Sequence, residues 1–345
     1  MLNIDLRSDT VTRPTEEMKR EMYEAELGDD VYGEDPTTNA FQEEVAEMLG
    51  KEASVLVSSG TQGNLVSLLS WAGRGDEILV GDQSHIFLAE AGGASVLGSL
   101  VLYPLLTNED GYFSDQSILD GIKPRDYHKP TTKLLCIENT HNLSSGRVLD
   151  VPRIRFISKL SKSKNLKLHM DGARLFNATT FLKVNPRELV KDVDSVTFCL
   201  SKGLSCPIGS VVSGDKEFIS ETKKWRKMLG SGMRQVGVIA AAGRVALRTM
   251  IDRLEEDHIN AKKLANGLAN INQLKINPHR IQTNIVRFYI PSGKGEIIAN
   301  YLEEEGIKVN PGKFDLRMVT HREISSEDID ITLLIMEKVL KKIFS

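Results

Sequence analysis

Asp171 and Lys202 are the two residues whose types and spacing point most clearly to chemistry. Asp171 follows the largely apolar residues 166–170, and Lys202 follows the largely apolar residues 195–200. The 31 residues that separate them correspond to about one strand–helix–strand unit, so both side chains can project from one edge of a sheet. A carboxylate there can pair with the protonated nitrogen of a heteroaromatic ring, and a lysine in a partly dry site can form a Schiff base with an aldehyde. A capping aspartate and a solvated surface lysine are the alternative interpretation.

Residues 58–64 (SSGTQGN) separate a predicted strand from a predicted helix. Gly60 lets the backbone approach a ligand closely, and the free N–H groups at the start of the helix favour a phosphate. Thr61 would add a hydroxyl donor. The segment matches neither the Walker phosphate loop nor the GxGxxG pattern, so an ordinary capped turn is the alternative.

Arg174 and His85 complete the set of candidates. Arg174 comes three residues after Asp171 and could face the same ligand, although a surface arginine would explain it as well. His85 follows an apolar run that ends at Val80, and its imidazole could stack on a flat cofactor or transfer protons near neutral pH. A capping or buried structural histidine is the competing interpretation.

Together these residues supply a phosphate cradle, a partner for a ring nitrogen, an amine and a stacking ring, which is what pyridoxal 5'-phosphate needs from a protein. We expect no metal site, because neither CxxC nor HExxH is present. The acidic residues 28–35 lack the spacing of an EF-hand loop.

The elements that must position these residues follow from the hydrophobic pattern. Short apolar runs alternate with stretches of helical period, including a predicted helix over 61–71, which indicates a mostly parallel sheet with helices on both faces. Ligands bind at the carboxyl ends of the strands in such sheets. The predicted strands cover 53–57, 77–80, 133–137, 166–170, 195–200 and 209–213.

The pattern changes after about residue 245. Strands over 282–290 and 315–321, together with two helices, predict a small α+β unit, and the last helix opens with a Ser325-x-x-Asp328 capping signal. We place the domain boundary in the helix near 246–254. The predicted domains are therefore 1–248, a large cofactor-binding domain, and 249–345, a small C-terminal domain.

Bulk composition excludes several classes of protein. The 345 residues are 41% hydrophobic and 26% charged with a formal net charge of -3, so neither nucleic acid nor a membrane surface is an expected partner. No signal-peptide core or 18-residue apolar run occurs, and three scattered cysteines do not form a disulfide framework. We expect a cytoplasmic protein.

Seven separate motifs lie along essentially the whole chain: DLRSDTVTRP (5–14), DVYGEDP (30–36), SGTQGN (59–64), ENTHN (138–142), MDGAR (170–174), SKG (201–203) and GMRQ (232–235). In this order they resemble the low-specificity L-threonine aldolases. The resemblance implies the fold type I pyridoxal-phosphate architecture, with a large mostly parallel sheet domain and a small α+β domain, as in aspartate aminotransferase. It also implies a homotetramer in which each active site borrows residues from a neighbouring subunit.

The resemblance also implies a role for individual residues. Lys202 would be the Schiff-base lysine, Asp171 the partner of the ring nitrogen, and His85 the residue stacked on the ring. Gly60 and Thr61 would hold the phosphate with Lys227 and Arg234. The substrate carboxylate would be bound by Ser8, Arg174 and Arg317, and His128 would lie near the substrate hydroxyl.

The implied reaction is cleavage of the Cα–Cβ bond of L-threonine, L-allo-threonine and related β-hydroxy-α-amino acids to glycine and an aldehyde. The arginine clamp would set this bond perpendicular to the cofactor ring, because only such a bond overlaps the π-system. A β-eliminating lyase or an aminotransferase on the same fold is the alternative, since fold alone does not choose the bond. A scaffold without activity is disfavoured because the candidate residues are all present.

Overall fold

The computed structural model describes residues 2–344. Its helices are α1 (Glu16–Glu24), α2 (Pro36–Leu49), α3 (Gly60–Trp71), α4 (His85–Leu88), α5 (Gly93–Gly98), α6 (Asp115–Gly121), α7 (Val151–Ser163), α8 (Leu175–Leu182), α9 (Pro186–Val190), α10 (Lys216–Met228), α11 (Gly237–Thr249), α12 (Leu254–Ala269), α13 (Gly295–Glu304) and α14 (Ser326–Phe344). Its strands are β1 (Ile4–Asp5), β2 (Ala53–Val57), β3 (Glu77–Gly81), β4 (Val101–Leu105), β5 (Thr132–Glu138), β6 (Lys167–Asp171), β7 (Ser195–Cys199), β8 (Ser210–Gly214), β9 (Ile285–Tyr289), β10 (Ile307–Lys308), β11 (Asn310–Pro311) and β12 (Asp315–Val319).

Seven strands form the main sheet in the order β2-β8-β7-β6-β5-β3-β4. β8 is antiparallel to both of its neighbours, and the other strands of this sheet run parallel to one another. Every residue of β3 and β7 is buried, because helices cover both faces of the sheet. The predicted α/β fold with a mostly parallel sheet is therefore confirmed.

β4 is the strand of this sheet that the apolar pattern did not predict. It forms the edge beside β3, and four of its five residues are exposed or half-buried, so it has no continuous apolar run. Pro104 lies within it, and proline is tolerated in edge strands because the missing N–H faces outward. An exposed edge strand of this composition resembles a loop in sequence.

A second hydrophobic core lies under the C-terminal elements. The antiparallel strands β11-β12-β9 and the helices α12, α13 and α14 enclose it, and the Ser325 hydroxyl caps α14 by accepting from the N–H of Asp328 at 3.1 Å. Ile4 and Leu6 also belong to this core, because β1 pairs with β10. The boundary between residues 248 and 249 stays a prediction. Among residues 2–344, none of the helices is long and apolar enough to cross a membrane.

Candidate active site

Asp171 and Lys202 lie at the carboxyl edge of the main sheet. Asp171 is the last residue of β6, which pairs in parallel with β7, and Lys202 follows β7 by three residues. Asp171 is buried, and its carboxylate accepts hydrogen bonds from the Asn64 amide at 2.9 Å and from the N–H of Ala173 at 3.0 Å. The Thr12 hydroxyl donates to the Lys202 carbonyl at 2.8 Å. The strand register therefore brings this carboxylate and this amine to one edge.

The start of α3 forms a tight glycine-led turn at the same edge. Ser59 caps the helix by accepting from the N–H of Gln62 at 3.1 Å, and Gly60 is the first helical residue. A Cβ atom on Gly60 would lie 2.8 Å from the Cys199 sulfur, so a glycine is required for the helix to pack this closely on β7. The N–H groups of Gly60 and Thr61, in the first turn, have no intrahelical acceptor and can bind an anion. Thr61 lies exposed beside them.

Lys227 and Arg234 flank a loop that touches this turn. The Gln62 amide donates to the Ser231 hydroxyl at 2.7 Å, which places the loop against α3. Arg234 itself binds Asp29 at 2.9 Å and lies over the ring of Tyr32. Within the described chain, neither Lys227 nor Arg234 makes a hydrogen bond or ion pair with residues 58–61 of α3 and its cap.

His85 is the first residue of α4, four residues after the end of β3 at Gly81. Its backbone N–H donates to the Glu138 carboxylate at 2.7 Å, and its ring Nδ1 lies 2.9 Å from Glu90. The hydrogen bond from Glu90 raises the pKa of His85, whereas burial and the charge of Lys202 act against this. Burial raises the pKa of Glu90, and the charge of Asp171 adds to the effect. His85 is thus a half-buried imidazole next to a buried carboxyl group.

Arg174 and Arg317 both contact the N-terminal segment. Arg174 is buried and donates two hydrogen bonds of 2.7 Å to Asp9. Arg317 donates to the Asn142 side chain at 3.1 Å and to the Arg7 carbonyl at 3.2 Å. Its buried Nε has no partner within residues 2–344. Burial lowers the pKa of Arg317, and the nearby charge of Arg174 lowers it further, so an anion between the two guanidinium groups would relieve both effects.

Ser8 and His128 make only local contacts among the described residues. The Ser8 hydroxyl accepts from the N–H of Thr10 at 3.2 Å and lies next to Asp9 in the chain. His128 belongs to the exposed segment between α6 and β5, where it contacts Asp126 at 2.9 Å and packs on Tyr127. The structure brings Lys202, Asp171, Gly60 and His85 to one sheet edge through the strands and helices that carry them, but it does not bring His128 into contact with them.

Several polar residues of the site were not predicted from the sequence as site residues. Four of them belong to the family motifs quoted above: Asp9, Asn64, Glu138 and Asn142. Membership of a motif was the sequence feature that could have identified them as site residues. Glu90 lies in no motif, and nothing in the sequence indicated it.

The donor set fits pyridoxal phosphate. It provides an anion-binding turn at Gly60, a buried carboxylate at Asp171, an amine at Lys202 and an imidazole at His85. One atom each of His85, Glu90 and Asp171 lie within 4.8 Å of one another, a spacing that a metal ion could also use. Asn64 donates to both carboxylates, so hydrogen bonding accounts for the cluster. The expectation of no metal stays a prediction.

The fold and the site together define a fold type I pyridoxal-phosphate enzyme. The β-eliminating lyase family matches residues 5–290. With a probable low-specificity L-threonine aldolase of Arabidopsis thaliana the chain is 44% identical over 343 residues, which cover 97% of each protein. With the low specificity L-threonine aldolase of Escherichia coli K12 it is 43% identical over 94% of this chain and 96% of that one. The chain belongs to the low-specificity L-threonine aldolase family.

A solved structure supports the fold independently. The threonine aldolase of Leishmania major superposes with a TM-score of 0.84 at 17% identity, covering 98% of this chain and 99% of that one. At this identity the likeness concerns the fold alone.

Proposed function

We propose that this protein is a pyridoxal-phosphate-dependent aldolase that cleaves L-threonine, and related β-hydroxy-α-amino acids, to glycine and an aldehyde. The observation that carries the proposal is the parallel pairing of β6 with β7, which brings Asp171 and Lys202 to one sheet edge in a chain of this family. The bound cofactor supplies an electron sink for the carbanion at the substrate α-carbon.

Each residue of the edge has a distinct task toward the cofactor. Lys202 would hold it covalently through its amine, and Asp171 would keep its ring nitrogen protonated. Gly60 and Thr61 would bind its phosphate through the first turn of α3. His85 would stack on its ring. The assignment is supported by the hydrogen bonds that fix Asp171 and by the orientation of His85 on α4.

Ser8, Arg174 and Arg317 bind the substrate carboxylate. The unpartnered Nε of Arg317 and the repulsion between the two guanidinium groups support an anion there. Arg174 uses Nε and one Nη for Asp9, so the hydrogens on its other Nη stay available to the substrate. Fixing the carboxylate orients the Cα–Cβ bond for cleavage.

His85 and His128 handle the proton of the β-hydroxyl, directly or through a water molecule, and general-base help of this kind accelerates reactions by about 10²–10⁴-fold. His128 is included because of the family resemblance. Single variants of each histidine and the double variant should be compared on L-threonine and L-allo-threonine. A double variant that keeps full activity and the wild-type preference would show that the base lies elsewhere.

A second copy of the chain completes the site, within a homotetramer. Arg234 and Lys227 make no hydrogen bond or ion pair with Gly60 of their own chain among the described residues, so they would bind the phosphate held by a neighbour. Exposed apolar residues near His85 support association with a further copy: Phe87, Leu88, Val96 and Leu97. Mixing Lys202→Ala with Arg234→Ala subunits tests the shared site. Hybrid assemblies should regain activity, whereas the average activity of the two parents would contradict sharing.

The cytoplasm is the proposed location. Cys136, Cys199 and Cys206 are all buried and unpaired, as expected in a reducing compartment. Cell fractionation with an antibody to the chain would test this, and recovery of the protein outside the cytosolic fraction would contradict it.

Product analysis tests the proposed reaction. Purified protein with added cofactor should convert L-threonine to glycine and acetaldehyde in equal amounts. A β-eliminating lyase would release ammonia and 2-oxobutanoate, and an aminotransferase would require an added oxo acid. Either of these product patterns, without glycine, would refute the proposal.

A further inference from the structure

Glu90 connects the imidazole of His85 to the carboxylate of Asp171 through a single amide. Glu90 is buried, and its carboxyl group contacts His85 Nδ1 at 2.9 Å. The Asn64 amide nitrogen contacts Glu90 at 2.8 Å and Asp171 at 2.9 Å, so its two hydrogens serve the two carboxyl groups. A continuous hydrogen-bonded chain therefore runs from His85 through Glu90 and Asn64 to Asp171.

The orientation of Asn64 agrees with its other neighbours. The Asn64 carbonyl oxygen lies 3.3 Å from His169 Nε2, and since this oxygen can only accept, Nε2 must carry a hydrogen. Burial lowers the pKa of His169 to about 4, so the ring is neutral at pH 7 and its Nδ1 accepts. The Ser195 hydroxyl donates to that Nδ1 at 2.9 Å while accepting from Trp71 Nε1 at 2.8 Å. An ionised carboxylate can only accept, so the Asn64 nitrogen faces Glu90 and Asp171 and its oxygen faces His169 Nε2.

This arrangement leaves Glu90 as an acceptor for His85. Its Oε1 accepts from Asn64, and as the oxygen of an ionised carboxylate it can only accept, so it takes the hydrogen on His85 Nδ1. His85 Nε2 makes no hydrogen bond to the part of the chain that the structure describes, and the side chain is 36% exposed. The charged groups that act on this imidazole are Glu90, Asp171 and Lys202, while Glu138 touches its backbone N–H.

We infer that Glu90 is a positioning residue that fixes His85 with its hydrogen on Nδ1 and presents Nε2 as the nitrogen that exchanges protons with the substrate. The inference rests on the proposed function for the identity of the substrate, but the tautomer and orientation of His85 do not depend on it. Glu90 itself touches neither substrate nor cofactor in this account. It acts through His85, and Asn64 keeps it oriented.

Two consequences separate this role from a purely structural one. The Glu90 carboxylate favours the protonated imidazole, so His85 should gain its proton at a higher pH than a free imidazole, whose pKa is about 6.5. Because a base must be neutral to accept a proton, the acidic limb of kcat/KM should follow this titration. Glu90→Gln removes the charge and keeps the size of the side chain. The titration of His85 and the acidic limb of the kcat/KM profile should therefore both move to lower pH.

The test is the pH dependence of modification of His85 by diethyl pyrocarbonate in the holoenzyme, quantified on the peptide by mass spectrometry. The wild type should titrate above pH 6.5, Glu90→Gln should titrate lower, and kcat should fall at least tenfold with cofactor retained. Glu138→Gln is the matched control, because it removes a carboxylate that contacts His85 through the backbone alone. It should leave the ring titration unchanged.

Each outcome decides the inference. If wild-type His85 titrates at or below pH 6.5, the inference is wrong, and this needs no variant that might fail to fold. An unchanged titration in a folded Glu90→Gln protein would also overturn it, as would an equal shift in Glu138→Gln. If the wild type does not cleave threonine while His85 titrates as expected, the proposed function fails and the positioning role stands.

Discussion

The ion pair between Asp9 and Arg174 allows a prediction whose magnitude follows from burial. Asp9 is fully buried, and the Arg174 side chain is 5% exposed. Burial alone would raise the pKa of Asp9, but the charge and hydrogen bonds of Arg174 outweigh this and hold the pKa well below its ordinary value. Asn284 adds a third hydrogen bond at 3.1 Å. Asp9 therefore links the N-terminal segment to the main sheet through Arg174 and to the C-terminal elements through Asn284.

Asp9→Asn removes the charge and leaves the guanidinium buried without a counter-ion. The loss of one partner of a buried pair costs about 3–5 kcal/mol of unfolding free energy, because the remaining charge is neither solvated nor paired. Asp9→Asn combined with Arg174→Met should be closer to the wild type than Asp9→Asn alone, since no unpaired charge remains. Affinity for threonine should fall in both variants, because Arg174 is displaced or absent.

Urea unfolding at pH 7, followed by far-UV circular dichroism, measures the effect. Glu44→Gln is the control, because its ion pair with Arg244 at 2.6 Å has partners that are 35% and 41% exposed. We expect a loss below about 1 kcal/mol there. An Asp9→Asn protein that loses no more stability than this control would refute the reasoning.

The pH dependence of the same variant has a definite sign. A carboxyl group with a depressed folded pKa stabilises the protein fully above its unfolded pKa of about 3.9 and loses this contribution as the pH falls toward the folded pKa. The difference in stability between wild type and Asp9→Asn should therefore shrink below about pH 4. A difference that grows in acid would contradict the assignment of charge to Asp9.

Three further predictions concern the site. Arg317→Lys should raise KM for L-threonine by roughly 10- to 100-fold, because lysine lacks the planar fork that binds a carboxylate; an unchanged KM in steady-state assays would exclude this role. Gly60→Ala should weaken cofactor binding at least tenfold, because the added Cβ would lie 2.8 Å from the Cys199 sulfur. Gly73→Ala is the control and should leave cofactor binding unchanged, because its Cβ would lie 3.6 Å from the nearest atom; fluorescence titration with cofactor compares the two variants. Asp171→Asn should cut kcat severely at an unchanged unfolding midpoint, and near-normal turnover would remove Asp171 from its assigned role.

The apolar runs predicted most of the main sheet, because strands buried on both faces must be apolar throughout. The apolar pattern did not predict β4, because its residues 101–105 lie largely exposed at the edge of the sheet. It also could not show that β8 runs antiparallel to its neighbours, since strand direction depends on the connection rather than on composition.

The sequence predicted which residues form the site, but it did not predict the hydrogen bonds and ion pairs that hold those residues in place. Asp9 and Arg174 are 165 residues apart, and Glu90 meets Asp171 through Asn64, so these contacts arise only when distant segments fold together. Gly60 and Lys202, by contrast, belong to local turns that follow predicted strands, and such turns leave a signal in the sequence.

One measurement tests the central claim most directly, namely that the protein works through a cofactor held by Lys202. Borohydride reduction fixes the cofactor to the amine that carries it, and peptide mass spectrometry then identifies the lysine. Lys51 is the natural competitor, because burial lowers its pKa to about 8 and an amine of this kind is reactive near neutral pH. We expect the label on the Lys202 peptide, and we expect the reduced protein to form no glycine from threonine. A label on Lys51, or full activity after complete labelling of Lys202, would contradict it.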